Sequence, residues 1–66
     1  MMIFRCVFPE VQEILEWEKS STYTPTYAHC IRIAKAWMNI SEYKYGEFYV
    51  FDKNEWKLVK IIGKKI

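Results

Sequence analysis

A chain of 66 residues with a formal net charge of +2, 52% hydrophobic and 18% aromatic, has material for one domain, residues 1–66. A domain this size buries only about 60% of its unfolded surface, so it depends on dense apolar packing, a staple or association. Many aromatics beside two glycines and two prolines exclude disorder, the mild charge excludes a strongly electrostatic nucleic-acid binder, and no apolar run approaches the ~20 residues of a membrane span.

Met2 to Phe8 is an apolar run broken only by Arg5. It suits a strand, which Pro9 ends by removing a ladder donor. Met1 to Phe8 lacks the long apolar stretch and small-residue cleavage site of a signal peptide. Two cysteines, Cys6 and Cys30, are too few for a disulfide framework. The expected setting is a reducing cytoplasm, with both thiols acting as small buried hydrophobes; the alternative is a single Cys6–Cys30 bridge.

Residues 11–18 read two ways. A helix puts Val11, Ile14 and Leu15 on one side, with Pro9 in a tolerated first-turn position. A strand alternates Val11, Leu15 and Trp17 against Gln12, Glu16 and Glu18, leaving Glu13 and Ile14 off the pattern. The glutamates favour helix by propensity, whereas Phe8 is a poor N-cap and no glycine closes the far end. Both readings stay open.

After the polar connector 20–24, Thr24-Pro25 combines a capping hydroxyl with proline at the first helical position. Tyr27, Cys30, Ile31, Ala34, Trp37 and Met38 recur at the spacing of one helical stripe, predicting a helix over 25–41, roughly 25 Å long. Ile33 and Ile40 widen its apolar arc beyond the needs of a one-sided surface helix.

Residues 45–62 predict a β-hairpin around the polar loop Asp52-Lys53-Asn54-Glu55. Pairing Phe51 with Trp56 sets Tyr49 opposite Leu58 and Glu47 opposite Lys60. Tyr45, Tyr49, Phe51, Trp56 and Leu58 then share one face, and Phe48, Val50, Val59 and Ile61 the other, which is assigned to the helix. Gly46 marks a bulge or a close approach, and Gly63 to Ile66 a loose tail. The fold class is α+β: a small, mostly antiparallel sheet (strand 2–8, hairpin 45–62, residues 11–18 a further strand or a short helix) packed on one main helix, 25–41.

Chemical motifs are weak. His29 and Cys30 are adjacent, but neighbouring helical residues do not face each other, and a nucleophile needs its base within hydrogen-bond reach. Zinc wants four ligands at paired spacing, which Cys6, Cys30 and His29 do not offer. Glu10, Glu13, Glu16 and Glu18 read as a solvated acidic face, opposed by a basic end of Lys53, Lys57, Lys60, Lys64 and Lys65. No catalytic residue, metal, cofactor, small-molecule substrate or membrane partner is expected.

The double-sided hairpin carries the functional expectation. Aromatic side chains bury roughly 150–250 Å² each, so Tyr45, Tyr49, Phe51 and Trp56 together offer on the order of 600–900 Å². A standard interface takes about 800 Å² per partner. The reading is a non-enzymatic protein-binding module that self-associates or regulates a larger protein, with Tyr45, Tyr49, Phe51, Trp56 and Leu58 as interface candidates. The composition has the make-up of small accessory proteins of phages and mobile elements. The alternative is single-stranded nucleic acid stacked on the same aromatics and held by Lys57, Lys60 and Lys64. Both fail if residues 2–18 wrap round and bury this face.

Overall fold

The computed structural model describes residues 2–64. Four strands, β1 (Met2–Phe8), β2 (Glu13–Glu18), β3 (Tyr45–Asp52) and β4 (Glu55–Gly63), and one helix, α1 (Tyr27–Ser41), follow in the order β1-β2-α1-β3-β4. The sheet order is β2-β1-β3-β4 and every neighbouring pair is antiparallel. Strands β2 and β3 therefore run parallel on either side of β1. Parallel strands cannot be joined by a tight turn, so the chain crosses over β1, and α1 is that crossover.

Of the two readings of residues 11–18 the strand holds, over Glu13–Glu18, with residues 11 and 12 in the turn before it. Phe8 accepts from the Val11 N–H at 3.2 Å, and Gln12 takes a left-handed φ of 57°, closing a hairpin in the turn before β2. Val11 lies in that turn rather than on the strand face. The alternation of Leu15 and Trp17 holds, and both pack against the core.

The helix begins two residues later than the sequence predicts. Thr26, not Thr24, is the N-cap: its hydroxyl accepts from the His29 N–H at 3.3 Å, leaving Pro25 outside the helix. This start puts the Tyr27 ring edge-on to Phe48 at 5.5 Å, a contact that fixes where α1 meets the sheet. The far end closes on Glu42, left-handed at φ 61°, with the Tyr43 N–H donating back to the Met38 carbonyl at 2.9 Å. That is a Schellman motif without its usual glycine.

Cys30, Ile31, Ala34 and Met38 of α1 bury against Phe4, Cys6, Phe8, Phe48 and Ile62 of the sheet. Tyr27 and Trp37, grouped with them by spacing, flank the core and stay exposed. Both cysteines are free and fully buried. Gly46 marks a close approach: a Cβ there would come 3.0 Å from the Phe8 ring.

The β3–β4 pairing departs from the predicted register. Phe51 opposes Trp56 and Tyr49 opposes Leu58, but Phe48 opposes Lys60. Val59 is thus an extra residue, and a bulge reverses the parity of everything after it. Glu47 consequently faces Ile61 rather than Lys60. Ile62 takes the core position assigned to Ile61, and Val59 and Ile61 are exposed. The end of β4 is tied rather than loose, since the Lys64 N–H donates to the Lys44 carbonyl at 2.8 Å; Lys65 of the basic end and Ile66, both in the expected loose tail, lie outside the described residues.

Candidate functional site

The β1–β2 hairpin widens the sheet instead of wrapping it. The helix covers one face, and no other described element lies across the second. Cross-strand pairing lays that open face out in rows: Glu16, Arg5, Tyr49 and Leu58 form one, Ile14, Val7, Glu47 and Ile61 the next, and Phe51 beside Trp56 begins a third.

The polar groups of this face are matched to one another. Arg5 donates twice to one oxygen of Glu16, at 2.9 Å from Nε and 2.6 Å from Nη2, while its guanidinium lies 4.2 Å from the Trp56 ring centre. The Trp56 ring in turn packs on Phe51 at 5.1 Å. Glu47 accepts from the Tyr45 hydroxyl at 2.8 Å and the Tyr49 hydroxyl at 3.0 Å, one on each carboxylate oxygen. Both phenol pKa values are raised, Tyr45 chiefly by its hydrogen bond to Glu47, Tyr49 chiefly by burial and then by the same carboxylate. Both tyrosines therefore stay protonated and keep donating.

The apolar groups lack such matching. Leu58 and Ile14 are each 51% exposed and Ile61 44%, and Tyr49, Phe51 and Trp56 are half-buried. Of the five residues picked from sequence, Tyr49, Phe51, Trp56 and Leu58 come together here. Tyr45 shares the face but is only 9% exposed, so it supports Glu47 and offers little surface itself. Arg5, Ile14, Glu16 and Ile61 were missed. Arg5 had signalled itself as the one break in an apolar strand; Ile61 was hidden by the bulge.

The lysines fall elsewhere. Lys57 pairs with Val50 and Lys60 with Phe48, which puts both on the helix side of the sheet, away from the aromatics. Lys57 lies 3.5 Å from Asp52 and 3.8 Å from Glu55. Lys64 follows β4. The acidic and basic stretches thus line opposite edges of the sheet, β2 and β4, where charged side chains discourage uncontrolled strand addition.

On the helix side, Glu13 accepts from the Trp37 indole N–H at 2.6 Å and from the Tyr43 hydroxyl. It latches β2 to α1 and to the segment after it, and the hydrogen bond is the main cause of a raised Tyr43 pKa. Its off-pattern position in β2 was the sequence signal for this role. Burial pushes the Cys6 thiol up to about 12 and the Cys30 thiol to about 11, and His29 points outward from α1 while Cys30 points in. Comparison with protein-family models, with curated proteins and with solved structures finds no match to this chain.

Proposed function

We propose that this chain is a non-enzymatic protein-binding module whose binding surface is the open face of the sheet, centred on Tyr49, Leu58 and Ile61 and bordered by Ile14, Phe51 and Trp56. The observation that carries the reading is the internal pairing of the face's polar groups. A partner that covers a charge must compensate its lost hydration. Here Arg5 already has Glu16 and Trp56, and Glu47 already has two phenols, so a covering surface strands few polar groups. What it gains is the burial of half-exposed Ile, Leu and aromatic side chains, at about 25 cal/mol per Å². Tyr and Trp are also the residues enriched at interface hot spots.

The same geometry favours an apolar protein surface over single-stranded nucleic acid. Phosphates need unengaged cations beside the stacking rings, whereas Arg5 is paired and Lys57 and Lys60 belong to the other side. The thiols support a binding rather than a catalytic role. A nucleophilic thiol needs a lowered pKa and access, and Cys6 and Cys30 are buried with raised ones. The accessory-protein character rests on composition alone.

The test is comparative capture from an extract of the source cell, using the wild-type chain, Leu58→Asp, and Ile40→Lys on the opposite side of the molecule as control. A defined protein retained by wild type and Ile40→Lys but lost with Leu58→Asp is the expected result. Capture indifferent to Leu58→Asp, or no specific capture, overturns the reading.

A further inference from the structure

The last stretch of β4 has two ways to lie on β3. The pairs nearest the turn, Phe51 with Trp56, Val50 with Lys57 and Tyr49 with Leu58, fix the first half of the hairpin. Beyond them Val59 has no partner, and Lys60, Ile61, Ile62 and Gly63 oppose Phe48, Glu47, Gly46 and Tyr45. Strand β4 is an edge of the sheet, so among the described residues no strand on its other side holds that register.

Burial of one face ordinarily forbids a one-residue slip, because the slip sends core side chains to solvent. Here it does not. The core takes a single residue from this stretch, Ile62, in the slot beside Gly46. Its predecessor Ile61 is the same side chain, standing 44% exposed on the other face. When each of residues 59–62 takes the place its successor holds, Ile61 enters that slot and the core volume is unchanged. Val59, exposed in the bulge, lands beside Phe48 where Lys60 stood. Lys60 lands beside Glu47. Neither of these two makes an ion pair among the described residues, and opposite charges across a ladder attract. The slip also clears the bulge from the ladder. Two features belong to the bulged register alone. One is the Lys64 N–H on the Lys44 carbonyl at 2.8 Å, and the other is Gly63, whose φ of 78° lets its backbone pass close to that carbonyl.

We infer that the end of β4 exchanges between these two registers, the slipped one being held by about 1–10% of molecules. The exchange swaps Ile61 for Lys60 on the open face, putting a cation where the surface was apolar. That consequence rests on the binding role proposed above: a partner that buries Ile61 selects the bulged register, and the bound chain stops exchanging. The exchange itself is a property of the free chain and needs no partner.

NMR relaxation dispersion and saturation transfer on the free chain, which span the microsecond-to-second range of local rearrangement, test it. The expected result is one exchange process confined to residues 44–48 and 59–64 and absent at the turn. Deletion of Val59 keeps every described pair of the hairpin and removes the alternative, so the exchange disappears. Gly63→Ala takes a hydrogen bond from the bulged register and raises the slipped population roughly fivefold. Glu47→Gln lowers it about twofold, by removing the charge that Lys60 meets. Ile62→Lys puts a charge where the core admits none, so that chain folds in the slipped register and its chemical shifts match the minor form of wild type. No exchange in wild type over that range overturns the inference. Exchange that survives deletion of Val59 overturns it too, as does an Ile62→Lys chain that fails to fold, because Ile61 then cannot take the slot.

Discussion

Glu13 shows how much one side chain decides in a domain this small. Its carboxylate holds the Trp37 indole and the Tyr43 hydroxyl at once, joining the outermost strand to the helix. Glu13→Ala leaves both donors without an acceptor and is expected to lower the melting temperature by about 5 °C, the response of a small domain to one lost interaction. Glu13→Gln keeps an acceptor but removes the charge, so the Tyr43 pKa falls toward its ordinary value; the ultraviolet absorbance of tyrosinate follows this directly. Alkaline stability has a definite sign. The thiols of Cys6 and Cys30, ordinarily near 9.0, are held at about 12 and 11 by burial, and the phenols of Tyr43, Tyr45 and Tyr49 lie above their ordinary 10.0. All five ionise more readily in the unfolded chain, so the folded state binds more protons as pH rises through this range. Their stabilising contribution is complete below about pH 8 and is lost progressively above pH 9. Denaturant midpoints measured from pH 7 to 11 should fall only over the upper part of the series. In the folded protein at pH 8 neither thiol should react with a disulfide reagent, whereas both should react in denaturant.

At the scale of elements, four described non-glycine residues, Gln12, Glu42, Lys53 and Asn54, adopt left-handed geometry. Lys53 and Asn54 form a two-residue turn with φ of 50° and 64°, the type I′ arrangement that matches hairpin twist and favours Asn-Gly. Lysine at the first position carries a steric cost that asparagine reduces. The double change Lys53→Asn, Asn54→Gly should therefore stabilise the protein by roughly 1 kcal/mol, read as a higher melting temperature. Glu42→Gly at the helix C-terminus should act in the same direction for the same reason. Gly63 is the reverse case. It sits at φ 78°, and a Cβ there falls well inside contact distance of the Lys44 carbonyl, so Gly63→Ala should destabilise and detach the Lys64–Lys44 hydrogen bond that ends β4. The bulge at Val59 is the element-scale feature with the largest consequence, because it turns Ile61 outward and Ile62 inward.

For the molecule as a whole, the layers explain how a chain with so much apolar content leaves two surfaces unsatisfied. One helix covers one side of a four-stranded sheet, which is the minimum that closes a core. Everything apolar on the far side of the sheet and the far side of the helix is left over. Leu58, Ile61 and Ile14 contribute to no buried contact on the helix side, so Leu58→Lys with Ile61→Lys should change folding stability by no more than about 0.5 kcal/mol while raising solubility. A large loss of stability would mean that these residues pack against the folded chain more closely than their exposure indicates. The charges are arranged differently from the apolar groups, with acid on the β2 edge and base on the β4 edge, where they protect unpaired backbone.

Local periodicity was enough to read much of this protein. The apolar run 2–8, the three-and-four spacing after Thr24 and the aromatic alternation of 45–51 each reflect how a strand or a helix presents its own side chains, a property of the backbone near each residue. The α+β class, the core cysteines and the Phe51–Trp56 pairing followed from that. The strand at Glu13–Glu18, the bulge at Val59, the joining of Arg5 to Glu16 and Trp56, and the bond from Glu13 to Trp37 did not. Each depends on which distant segment lies alongside, and cross-strand neighbours are chosen by packing over the entire sheet. The same global packing sent β2 outward to lengthen the sheet instead of folding over Tyr49 and Leu58, leaving that face open.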